Sequence, residues 1–142
     1  MREGTLDLSA LKKALVSFEQ SLDVIDRDQF DAGDDALRKT LQAGVIQHFE
    51  FTYELCWKFM KRWLMENLGR SEVEGVSRRQ LFRLAAEFCL LDDVDAWMKF
   101  HAARNLTSHT YEQTTADEVL GVAKQFLPVA QVLLTRLQEK NE

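Results

Sequence analysis

The chain should be all-α: an up-and-down four-helix bundle with one additional short helix, five helices in all. Three observations predict it. One proline and six glycines in 142 residues are too few for a turn-rich β architecture. Apolar residues recur at steps of three and four through most of the chain, which is the helical period, and strand alternation is negligible. The segments so marked are joined by short links, as in bundles whose successive helices are antiparallel neighbours. A chain of this length is most naturally one domain, residues 1–142, able to bury a full core without disulfides or metals.

The first helix shows its period plainly, with Leu8, Leu11, Leu15, Phe18, Leu22 and Ile25 on one stripe. Asp31 to Asp35 around Gly33 makes a compact break. The second helix is expected from Asp35 to Asn67, closed by Leu68 and Gly69. Phe49, Tyr53, Cys56, Met60 and Trp63 form one of its stripes, and Phe51, Leu55 and Phe59 another. A helix apolar on both flanks should be packed on both, inside the monomer or against a second chain. A polar linker, Gly69 to Val76, leads to Ser77, which with Gln80 matches a capping box for the third helix. Asp92 and Asp95 open the fourth through DVDAWMKFHAARN. Thr115 and Glu118 read as a capping box for the last, whose stripe is Val119, Ala123, Phe126, Ala130, Leu133 and Leu137; Pro128 is expected to kink it.

The charged fraction of 29% and apolar fraction of 46% are ordinary for a soluble protein. With a net charge of -5 and a pI near 5.3, the chain should repel polyanions at long range, so any nucleic-acid contact must be local. MREGTLDLSA has no apolar core suited to a signal peptide and no stretch approaches a membrane span, so a cytoplasmic protein is expected. Cys56 and Cys89 lie far apart in apolar patterns without metal-ligand spacing and read as reduced core residues.

The segment RNLTSHTY, residues 104–111, breaks the pattern. Val94, Trp97, His101 and Arg104 share a face of the fourth helix. Thr107, Ser108 and Thr110 are poor helix-interior residues, so the helix should end near Leu106 and release His109 and Tyr111 into the following loop. An arginine with a histidine five positions later is weak by itself: chance supplies such a pair in about one chain in five of this composition. Cations also suit a helix C-terminus because of the dipole. The company of Asn105 and Tyr111, between two well-marked helices, is what singles the segment out.

Arg104, NLTS, His109, Thr110 and Tyr111 resemble the R-x4-H-x-Y signature of the HEPN superfamily. The similarity is to its nucleotidyltransferase substrate-binding, or HepT-like toxin, branch. GVIQHFEFTYELCWK, Gly44 to Lys58, looks like that branch's characteristic helix, and the N-terminal DLSALKKALVSFEQSL agrees. The resemblance implies a helical homodimer with two motifs facing one shared cleft, and a minimal nucleotidyltransferase as partner. In that family the toxin members are metal-independent ribonucleases whose partner attaches AMP to the motif tyrosine, here Tyr111. Other members are described only as binding subunits.

The residues suit that chemistry. Cleaving RNA without a metal requires a base for the 2'-hydroxyl proton and a cation for charge building on the phosphorane. His109 offers an imidazole to take that proton and Arg104 a planar fork for phosphate. Asn105 would position the phosphate or fix the imidazole tautomer. A two-fold dimer would supply a second histidine as acid. An AMP ester on Tyr111 would place bulk and negative charge where the scissile phosphate belongs.

Along the second helix, Gln47, Glu50, Glu54, Lys58 and Lys61 form a polar stripe, with Glu54 and Lys58 spaced as an i,i+4 pair. Without histidines at matching spacing a metal site is not expected, and no cofactor is implied. Glu50, Tyr53, Glu54, Trp57 and Lys58 are instead the expected partner-facing set, with buried salt bridges as the alternative for the stripe. His48 reads as a hydrogen-bonded core or interface residue, and His101 as a group that shapes the cleft or packs. Arg78, Arg79 and Arg83 read as a solvated basic face rather than an RNA guide, and Trp57, Trp63 and Trp97 as packing groups. Two functions follow: a HEPN ribonuclease, or a non-catalytic subunit that docks a nucleotidyltransferase.

Overall fold

A computed structural model describes residues 5–27 and 35–141; of the break expected at Asp31 to Asp35, all but Asp35 lies outside them. Every regular element among the described residues is a helix, without a strand: α1 (Ser9–Asp26), α2 (Asp35–Leu68), α3 (Arg70–Val73), α4 (Arg78–Glu87), α5 (Val94–Asn105) and α6 (Gln113–Lys140), with a 3-10 turn (Leu106–His109) after α5. At 1.5 Å per residue α2, of 34 residues, is about 50 Å long. It is the spine against which α1, α4, α5 and α6 pack. Among the described residues there are six α-helices rather than five. The extra one, α3, is a single turn inside the expected linker, too short to show a period. Gly69 enters it at φ 105°, and Val73 anchors it by complete burial.

The apolar stripes form the core. All six expected residues of α1's stripe and all six of α6's are buried. They join Phe49, Tyr53, Cys56, Phe59 and Met60 of α2 and Trp97 and Phe100 of α5 in one contiguous cluster. Its hub is Phe126. That ring meets Phe100 at 5.0 Å, Phe49 at 5.2 Å and Trp97 at 5.6 Å between centroids, each near edge-to-face, with Phe18 and Tyr53 just outside. These are the distances and orientations favoured by the aromatic quadrupole. The second stripe of α2 is less buried than its composition suggests: Phe51 is 58% exposed.

Ser77 caps α4 as expected, its hydroxyl accepting from the Gln80 amide at 3.1 Å. Two other caps differ from expectation. Asp93, not Asp92, caps α5 by accepting from the Ala96 amide at 3.0 Å, while Asp92 pairs with both terminal nitrogens of Arg136 at 2.9 and 2.8 Å. Helix α6 starts two residues before Thr115, with Glu112 extended at its N-cap and no side-chain cap. It then continues through Pro128 to Lys140.

Cys56 is buried as expected and its thiol is pushed up by that burial. Cys89 is not a core residue: it is exposed, at φ 62°. Its amide bonds to Ala86 O at 3.0 Å and the next amide, Leu90, to Ala85 O at 2.8 Å, the paired bonds that end a helix in a left-handed turn. The turn puts Leu90 into the core and leaves a cysteine where glycine is usual. The Asn141 side chain brackets the Leu6 backbone at 3.0 and 2.7 Å, tying the N-terminal segment to the end of α6. No helix among the described residues is long and apolar enough to cross a membrane.

Candidate functional site

Arg104 sits in the last turn of α5, where the chain tightens into the 3-10 turn as its threonines and serine dictate. The Thr110 hydroxyl donates to Thr107 O at 3.1 Å and holds the exit of that turn. Arg104 itself reaches back to α2. Its Nε donates to Glu54 Oε1 at 2.9 Å and a terminal nitrogen lies 3.5 Å from Glu50 Oε2. The guanidinium is thus gripped at two of its three nitrogens while the side chain stays 32% exposed. The Thr107 hydroxyl lies within reach of both Glu50 Oε2 and Arg104 O. Having one proton, it favours the charged acceptor, Glu50.

The network continues beneath Arg104. Glu54 Oε2 accepts from Trp57 Nε1 at 2.9 Å. The Arg78 guanidinium carbon lies 3.7 Å from the Trp57 ring centroid, a close cation–π stack. A terminal nitrogen of Arg78 donates to the Tyr53 hydroxyl at 3.0 Å, and that hydroxyl is 2.9 Å from His101 Nδ1. A nitrogen of Arg78, which can only donate, also lies 3.5 Å from His101 Nδ1, so an Nδ1 without a proton suits both neighbours: it accepts the tyrosine proton, and the neutral imidazole carries its own proton on Nε2. Burial raises the Tyr53 phenol to about 12. Burial, then the Arg78 charge, holds His101 below the ordinary histidine value, partly opposed by Glu54. His101 is therefore neutral at physiological pH.

The five residues expected to face a partner have separate places. Glu50 and Glu54 hold Arg104, and Trp57 bridges Glu54 to Arg78. Tyr53 is fully buried, so its ring serves the core and only its hydroxyl serves the network. Lys58 is exposed, its ammonium 5.8 Å from the Trp57 ring centroid. The basic cluster also divides. Arg78 is half-buried on Trp57, a correction to the solvated-face reading, whereas Arg79 pairs with exposed Asp95 at 3.5 Å and Arg83 is exposed. Arg78 was missed because its neighbours, Tyr53, Trp57 and His101, are all distant in sequence. Its place at the first turn of a capped helix carries no signal of them.

His109 ends the 3-10 turn and Tyr111 follows it, both exposed, with ring centroids 6.3 Å apart in an edge-on arrangement. Tyr111 is 80% exposed, the largest value among the exposed large apolar and aromatic residues. Asn105 is exposed at the last position of α5, and His48 is half-exposed on α2. Among the described residues no group of three or more histidine, cysteine, aspartate or glutamate side chains could hold a metal ion. The site therefore offers an arginine held by two carboxylates and, after the 3-10 turn, an exposed imidazole and an exposed phenol in ring contact.

Residues 6–139 match the family model described as nucleotidyltransferase substrate binding protein like. A curated Haemophilus influenzae protein named "Probable ribonuclease HepT" is 35% identical over 144 aligned residues, covering 100% of this chain and 99% of its own. A solved Haemophilus influenzae structure, described as revealing the fold of a substrate binding domain of a nucleotidyltransferase, aligns with a TM-score of 0.88 at 36% identity, covering 93% of this chain and 99% of that one. A crystal structure from Thermus thermophilus aligns with a TM-score of 0.70 at 26% identity, over 89% of this chain and 98% of that one.

Proposed function

The chain belongs to the HepT-like nucleotidyltransferase substrate-binding family, and from that premise we propose that it is a metal-independent endoribonuclease, the HEPN component of a two-gene toxin–antitoxin module. In this reading it is a single HEPN-like domain over residues 1–142 that acts in the cytoplasm as a homodimer. In the same reading α1, α2, α5 and α6 make up an up-and-down four-helix bundle. A partner nucleotidyltransferase controls it by attaching AMP to Tyr111.

One observation carries the reading: an Arg104 held by Glu54 and Glu50 is followed, five and seven positions along the chain, by His109 and Tyr111, both exposed and in ring contact. His109 takes the 2'-hydroxyl proton of the RNA. The 2'-oxygen bonds to the adjacent phosphorus, and Arg104 balances the charge growing on the phosphorane oxygens. The bond to the 5'-oxygen breaks, and that oxygen takes a proton from the second copy's imidazole, leaving a 2',3'-cyclic phosphate and a 5'-hydroxyl. Asn105 holds a nonbridging phosphate oxygen. The exposure of Tyr111 suits attack of its phenol on the α-phosphorus of ATP, releasing pyrophosphate and leaving the AMP ester over the site.

Cleavage of RNA by the unmodified protein in EDTA, lost in His109→Ala and Arg104→Ala, is the expected result. Equal activity in His109→Ala would overturn the mechanism. Mass spectrometry after co-expression with the partner should find the added AMP on Tyr111.

A second reading rests on the two carboxylates that neutralise Arg104 and on the related structure's description as a substrate-binding domain. In it the chain is a non-catalytic subunit docking a minimal nucleotidyltransferase. A stable complex with that enzyme, and no ribonuclease activity in the free subunit, would decide for it.

A further inference from the structure

A cleft of about 190 Å³ opens between the first half of α2 and the start of α6, on the Tyr111 side of the motif. Ile46 and Ala116 give it an apolar floor. One wall is polar and tightly held. Gln42, 95% buried by its 5% exposure, donates from its amide to Asp117 Oδ1 at 2.9 Å. Gln113 donates to the same oxygen at 2.7 Å and to Gln42 Oε1 at 3.0 Å. A buried amide is costly unless its bonds are made, so this three-membered lock fixes polar groups at the edge of an apolar surface. Lys39 stands on the rim and the Tyr111 ring at the mouth.

We infer that this cleft is a subsite for one unpaired nucleotide, its base carrying an exocyclic amino group turned toward the Gln113 carbonyl oxygen and its phosphate set at Lys39. The apolar floor and the exposed phenol ring suit the faces of a heterocycle, since stacking on aromatic side chains is the common way of holding single-stranded bases. The volume admits one base and no base pair. Gln113 commits both amide hydrogens to the lock, so its carbonyl oxygen is the group it can turn to a ligand. That oxygen accepts, so it pairs with an amino edge and opposes the carbonyl edge of uracil. Hydrogen bonds from Gln42 and then Gln113 keep the Asp117 carboxyl below its usual range, so it stays the acceptor that holds both amides in place. Lys39 supplies the cation a phosphate needs.

The nucleotide has two candidate sources, a base of the bound RNA beside the scissile phosphate, or the AMP esterified to Tyr111. Either source rests on the function proposed above; the affinity of the cleft does not. The test follows the side-chain amide signals of Gln42 and Gln113 in the full chain, by nitrogen-15 NMR, during titration with AMP and with UMP. AMP should shift both signals with a Kd on the order of 1 mM, and UMP should bind severalfold more weakly. Lys39→Ala should weaken AMP binding about tenfold, and Gln113→Ala, on the surface and tolerant of change, should erase the preference for AMP. No saturable shift, or equal responses to AMP and UMP, would overturn the subsite.

The source is then separable. A raised KM for RNA with unchanged kcat in Lys39→Ala assigns the base to the RNA strand. Unchanged RNA kinetics, with the amide shifts reproduced by AMP on Tyr111 and lost in Lys39→Ala, assign it to the ester. AMP binding by a protein without ribonuclease activity would leave the subsite standing and overturn the catalytic reading, and activity without AMP binding would do the reverse.

Discussion

The aromatic hub around Phe126 and the polar network around Arg104 share α2 and α5 but are built on different principles. At the hub, rings from four helices meet and none depends on one particular bond. In the network, Arg104, Glu54, Trp57, Arg78, Tyr53 and His101 are each held by one or two directed contacts, and all but Tyr53 are partly open to water. The hub should therefore set stability, and the network should set orientation at small cost in stability. Tyr53 belongs to both, its ring in the hub and its hydroxyl in the network, and so couples the fold to the site.

The largest test of this contrast is Phe126→Ala, which should cost about 3–5 kcal/mol in denaturant unfolding, the usual toll for an aromatic side chain removed from a packed core. A loss near ~1 kcal/mol would mean that the hub does not carry the fold. Next, Glu54→Ala should reduce RNA cleavage at least tenfold by freeing Arg104, since orientation of catalytic groups is easily worth that much. The loss of stability should stay near ~1 kcal/mol, as for a partly exposed ion pair. Glu54→Gln should recover part of the activity, because it keeps the acceptor for Trp57. An equal fall in stability and activity would erase the distinction between hub and network.

His101 gives the contrast a pH axis. Its folded pKa is depressed, so its contribution is fully present above the ordinary value of about 6.5. That contribution is lost as pH falls through the folded value, because the unfolded chain then binds the extra proton. Replacing it, in His101→Gln, should flatten the acid side of the stability profile below neutrality, while the loss near pH ~4 and below from Asp92 and Asp117, whose pKa values are also lowered, persists. Cys89→Gly, at the left-handed turn after α4, should raise stability by about 0.5–1 kcal/mol without touching activity. Smallest of all, Phe51→Ser should leave monomer unfolding within about 0.5 kcal/mol, as expected for an exposed position. Sedimentation of the same variant shows whether that face supports the proposed dimer.

Much of the fold was legible in the sequence because burial in helices is periodic. The stripes of α1 and α6 read from spacing are the ones in the core, and the ends of α2 and α5 fell where Gly69 and the threonines after Leu106 placed them. Helix starts were less legible. Asp92 and Asp93 both look like caps, and only the presence of Arg136 opposite one of them decides which caps α5. Cys89 looked like a core residue since its apolar neighbours are periodic; the turn that expels it is a property of the backbone path into Leu90.

What the sequence determined by itself was the all-helical class, the apolar stripes, and the identity of Arg104, Asn105, His109 and Tyr111 as the residues worth attention. These are local, carried by periodicity and by a motif within eight positions. Only the tertiary structure decided that Glu50 and Glu54 grip Arg104 rather than merely line a stripe, that Arg78 stacks on Trp57 rather than facing solvent, and that Gln42 of α2 locks with Gln113 and Asp117 of α6 beside Tyr111. The physical reason is range. A helix period is written in neighbours a few residues apart, but a directed bond between polar groups 25 to 75 positions apart exists only once packing has chosen which faces meet.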